Sequence, residues 1–148
     1  MAKRKETLSE RFEKELQQMY VRTEHWISDY AFFEDELKFL INLMDKYFVG
    51  AVIADADKNG NLKQLVGKLL KLNESRKNLE LQIRENFAYL ARLMQNKEIF
   101  DPEECRDRQS DLESDQTDFL RKYRTIKKEV FELSEHLLAS QRSRKLIG

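Results

Sequence analysis

FEKELQQMYVRTEHWISDYAFFEDELKFLINLMDKY, residues 12–47, decides the fold. Within it Phe12, Leu16, Met19, Thr23, Trp26, Tyr30, Phe33, Leu37, Leu40, Met44 and Tyr47 follow at alternating steps of four and three, and only Thr23 is clearly polar. A period of about 3.5 residues keeps one stripe of a helix turned toward its neighbours along its whole length. The same spacing returns twice further on. One seam runs through Leu62, Leu65, Leu69, Leu72, Arg76, Leu79, Ile83, Asn86, Leu90 and Leu93. The other runs through Leu112, Gln116, Phe119, Tyr123, Ile126, Val130, Leu133 and Leu137.

The punctuation between the seams sets the helix ends. Thr7 and Glu10 have capping-box spacing, and Gly50 is a left-handed stop signal. Asn61 with Gln64 marks a second start. Asp101-Pro102-Glu103-Glu104 marks a third: the aspartate caps, proline fits the first helical position, and two acids face the positive end of the dipole. Helices are predicted near 8–49, 61–98 and 102–142. Each would span roughly 55–65 Å. Short connections make neighbours antiparallel. The expected fold is therefore all-α, one elongated antiparallel three-helix bundle with coiled-coil-like heptad packing, as a single domain over 1–148.

Composition agrees. Charged residues make up 36% of the 148, well above the usual quarter, and proline occurs once, which suits long solvated helices. Lys+Arg and Asp+Glu balance at 27 each, so no global field draws the chain to nucleic acid. No apolar run approaches the ~20 residues that span a bilayer, and the basic start Lys3-Arg4-Lys5 is followed by no apolar stretch. A cytoplasmic protein that binds neither nucleic acid nor membrane is expected. Cys105 is the single cysteine, which leaves no intrachain disulfide.

Polar residues interrupt the seams at few places. Folding the second helix back on the first puts Thr23 level with Asn86, and Phe33 level with Arg76. Folding the third back brings Gln116 close to the same height. Thr23, Asn86 and Gln116 are thus expected to form one buried polar layer, which would fix register at some cost in stability. Arg76 needs an acceptor, and Glu34 on the flank of the first helix is at its height. The alternative is that Arg76 snorkels to water.

Chemistry-bearing sets are sparse. Asp55, Asp57, Asn59 and Gly60 copy the opening of an EF-hand loop, and calcium is the cation that reading would take. The twelfth position, which needs a bidentate carboxylate, is Val66. The plainer reading of 55–61 is a turn between helices, which wants the same residues. His25 and His136 lie off the seams and far apart in height, too few for a di-iron site. Cys105 falls on a seam and reads as core filler. No phosphate loop, nucleophile elbow or zinc-protease motif occurs. The basic ends read as solvated termini.

One feature of the first helix exceeds what a bundle core needs. Phe32, Phe39 and Leu43 form a ridge of their own, at steps of seven and four, away from the seam. Two phenylalanines on an outer ridge suggest a covered surface, either a second copy in an isologous homodimer or another protein partner. The alternative is that the third helix wraps round and covers them. The expected function is non-enzymatic, through protein–protein interaction or self-association. Two others are carried beside it: a calcium-responsive binding protein, and a small-molecule-binding or enzymatic bundle built around the polar layer.

Overall fold

The structure, a computed structural model, describes residues 8–54, 60–95 and 101–147. They form three helices and, among the described residues, no strand. Helix α1 spans Leu8–Ala54, α2 Asn61–Gln95 and α3 Pro102–Ile147. The fold is all-α, a three-helix bundle.

The ends differ from expectation in instructive ways. α1 runs through Gly50 to Ala54. A glycine inside a helix costs about 1 kcal/mol against alanine, too little to stop a helix whose next residues are Ala51, Val52, Ile53 and Ala54. α2 starts at Asn61 as expected, but the capping place belongs to Gly60, at φ +68°, whose carbonyl accepts from Gln64 N–H at 3.0 Å. α2 is described to Gln95, the expected continuation to 98 lying outside the described residues, and α3 continues to Ile147 rather than 142. The start of α3 follows the sequence signal closely. Asp101 Oδ1 accepts from the N–H groups of Glu103 and Glu104 at 3.0 and 3.4 Å, and its carbonyl takes Cys105 N–H at 3.1 Å.

Two compact units are present, each made from a segment of every helix. The first comprises the described residues within 1–31 and 78–116. Its core joins Phe12, Leu16 and Met19 of α1 to Leu90 and Leu93 of α2 and Cys105 of α3. Tyr20 and Phe87 close one side as stacked rings 4.5 Å apart. The second comprises the described residues within 32–77 and 117–148. There Leu37, Leu40 and Met44, Leu62, Leu65, Leu69 and Leu72, and Phe119, Tyr123, Val130 and Leu137 are buried. The ring of Phe33 tilts against Phe119 and Tyr123 at 5.8 and 5.1 Å. Heptad spacing thus became burial, at about 1.5–3 kcal/mol per large apolar side chain. None of the helices is long and apolar enough, over the described residues, to cross a membrane.

Candidate functional site

In the first unit the polar layer exists, with one member exchanged. Asn86 Nδ2 donates to Gln109 Oε1 at 2.9 Å. Gln109 Nε2 donates to Thr23 Oγ1 at 3.4 Å, and Thr23 Oγ1 donates to the Met19 carbonyl at 2.7 Å. All three side chains are buried. The α3 member is Gln109, not the expected Gln116, which stands two turns further along. Gln116 is itself buried, and its Nε2 has no hydrogen-bond partner among the described residues. The missing signal was present. Gln109 lies midway in the four-and-three spacing from Cys105 to Leu112, so carrying the α3 seam back through it would have found it.

Asn86 also lines a shallow cleft of about 200 Å³ with Gln82, Glu85, Arg108, Asp111 and Asp115. Small-molecule pockets run from about 300 Å³ and are mostly apolar. This cleft is smaller than that. Its Asn86 Oδ1, without a protein partner among the described residues, suits a water rather than a metabolite.

Nearby, the Cys105 thiol is fully buried and donates to the Tyr89 hydroxyl at 3.8 Å, while the Arg108 guanidinium lies 4.1 Å over the Tyr89 ring. Burial pushes the thiol up from its usual value and the Tyr89 phenol up to about 12. A thiol held protonated is a poor nucleophile. His25 and His136 are exposed, and no group of three or more His, Cys, Asp or Glu among the described residues could hold a metal ion. Asp55, Asp57 and Asn59 lie outside the described residues.

In the second unit the pairing of Arg76 with Glu34 is present. Arg76 is buried, and its guanidinium stands 3.9 Å from the Glu34 carboxylate. At that distance it is a charge contact; the hydrogen bond from Nε goes to Asn73 Oδ1 at 2.9 Å. Glu34 also holds Lys38 at 3.1 Å, and these cations keep its carboxyl below the ordinary value, Lys38 first.

The α1 ridge is the surface that stands out. Phe32 is 59% exposed and Phe39 58%, while Leu43 is half-buried. α3 does not wrap over the two rings. It runs beside them: Glu36 of α1 accepts from the Tyr123 hydroxyl and from Lys127 Nζ, the latter at 2.9 Å. One step outward from that contact line α3 carries its own exposed apolar pair, Phe131 and Leu138, at 45% and 41%. Phe32 and Phe39 are seven residues apart, as are Phe131 and Leu138, so each pair lies along one line of its helix. Phe39 stands three residues beyond Glu36, and Phe131 four beyond Lys127, so the two rings are nearly level. The apolar surface is therefore two-banked, with Leu43 in the groove between. Phe131 and Leu138 belong to none of the seams or ridges expected from the sequence. The repeat of Phe131 at Leu138 was the available signal.

Compared with known protein families, with curated proteins and with solved structures, the chain matches none.

Proposed function

We propose that this chain is a non-enzymatic interaction protein, which acts by laying the aromatic face of its second unit against another helical surface. The observation that carries this reading is the pair of banks, Phe32 with Phe39 and Phe131 with Leu138, exposed on one side of the α1/α3 contact. Scattered exposed apolar residues are normal, but a contiguous patch of aromatic rings is a typical interface core. Four side chains of this size, each about half exposed, offer roughly 350 Å². That falls in the range of about 300–600 Å² for the largest and often functional patch on a single chain. A cytoplasmic setting fits the charge-rich surface and the single reduced cysteine.

The test is a photo-activated cross-linking residue placed at Phe39 in cells that express the protein. Exposed Leu81, elsewhere on the chain, is the control position. Adducts that form from position 39 and not from 81 are expected. Equal or absent adducts at both positions would remove the reading.

A further inference from the structure

We infer that the surface covering this face is a second copy of the same chain, with the two-fold axis along the α1/α3 groove, so that α1 of each copy lies parallel on α3 of the other. The inference rests on the proposed interaction face and adds what occupies it and how.

Heights on the two banks carry the argument. α1 and α3 run in the same direction, and the contact of Lys127 with Glu36 fixes which residues are level. A two-fold axis along the groove keeps every height and swaps the banks. Phe39 then faces Phe131 of the second copy. Phe32, four residues before Glu36, faces Arg124 of the second copy, three before Lys127. An exposed guanidinium meeting an exposed ring is a favourable cation–π pairing. Asp35, one residue before Glu36, comes within about two residue rises, or ~3 Å in height, of Lys128 in the second copy. Both are exposed, and Lys128 is held only loosely by Glu132 on its own helix, at 3.9 Å. Each of these pairs occurs twice in the dimer, as an isologous interface requires.

The other two-fold arrangement sets the copies antiparallel, α1 on α1 and α3 on α3, and places neither Asp35 against Lys128 nor Phe32 against Arg124 of the second copy. The apolar area of roughly 350 Å² per copy falls short of the about 800 Å² per partner in a standard interface. A parallel contact adds the stems of Arg124 and Lys128, and Leu43, as its surround.

The experiment uses the full chain with Cys105→Ala, carrying Asp35→Cys in one preparation and Lys128→Cys, with a size tag, in another. Both substitutions lie on the rim and leave the four apolar side chains in place. The two are mixed and treated with a short bis-maleimide. The expected result is a dominant adduct joining one chain of each kind, reduced at least about tenfold by adding Phe32→Glu with Phe39→Glu. Adducts found only within each preparation alone would overturn the parallel arrangement and leave the aromatic face standing as an interface. A chain that stays monomeric at every concentration would overturn the second copy as occupant. A mixed adduct insensitive to the Phe32 and Phe39 changes would overturn both the inference and the reading of the face beneath it.

Discussion

Asn86 and Gln109 exchange a 2.9 Å hydrogen bond between α2 and α3, each buried, with Thr23 of α1 as the next link. A buried amide network in an otherwise apolar seam is satisfied at one register and broken at any other. Its contribution is thus to choice of alignment more than to stability. Asn86→Ala is expected to cost about 1–3 kcal/mol, because it strands the Gln109 carbonyl oxygen. Thr23→Val, Asn86→Leu and Gln109→Leu together are expected to be neutral or stabilising by about 1–2 kcal/mol. Denaturant unfolding of the single and triple variants checks the contrast. A triple variant weaker than Asn86→Ala would contradict it.

Arg76 and Glu34 have unequal surroundings, and the two ends of their pair should answer differently to substitution. Arg76 is 3% exposed at its side chain and Glu34 36%. Glu34→Gln leaves a buried cation facing a neutral amide. It is expected to lower stability, by less than in a fully buried pair because Asn73 still accepts from Nε. Arg76→Met removes the buried charge and leaves a solvated carboxylate, with an expected effect within about 1 kcal/mol of neutral. Thermal midpoints of the two variants settle the order, and a more damaging Arg76→Met would reverse the account.

Acid sensitivity should come in part from Glu36. Burial on its own would raise this carboxyl, but the Tyr123 hydroxyl and the Lys127 ammonium outweigh it and hold the group below its ordinary value. A folded-state value below the unfolded one contributes stability above the unfolded value, about 4.3. That contribution disappears as pH falls through the folded value. Unfolding free energy should therefore drop on acidification below about pH 4.3, and drop less steeply in Glu36→Gln. Parallel slopes in the two proteins would show that Glu36 is not a source of the acid loss.

The thiol of Cys105 should be silent in the native state. It is buried, shifted up by burial, and engaged with the Tyr89 hydroxyl. Labelling at pH 8 is expected to be slower than that of the unfolded chain by at least about 100-fold, since only an exposed thiolate reacts. Labelling at the unfolded rate under native conditions would mean that the start of α3 does not close over the first unit.

Much of this was legible because helix packing is periodic. Steps of four and three marked most of the buried residues of all three helices, and equal rise per residue put Thr23 at the height of Asn86 and Glu34 near that of Arg76. What was missed depended on finer matters. Gln109 rather than Gln116 meets Asn86 because the height of α3 against α2 is not contained in the spacing within one helix. Gly50 reads as a stop, yet a lone glycine is a weak breaker among residues that continue a helix well. Phe131 and Leu138 carry the same seven-residue signal on α3 as Phe32 and Phe39 do on α1, but only the pairing of α1 with α3 makes them one groove. The exposure of Phe32 and Phe39, by contrast, followed from seven-residue spacing alone.

The central claim is that the aromatic face of α1 and α3 is a contact surface between copies. The most direct measurement is the solution mass of the untagged chain by light scattering across a concentration series, beside Phe32→Glu with Phe39→Glu. The account expects the wild-type mass to climb from 17.8 kDa toward twice that value. It expects the variant to need at least about 100-fold more protein for the same climb, with helical content unchanged. A wild-type mass that stays at one chain throughout, or a dimer that the two glutamates leave intact, would contradict it.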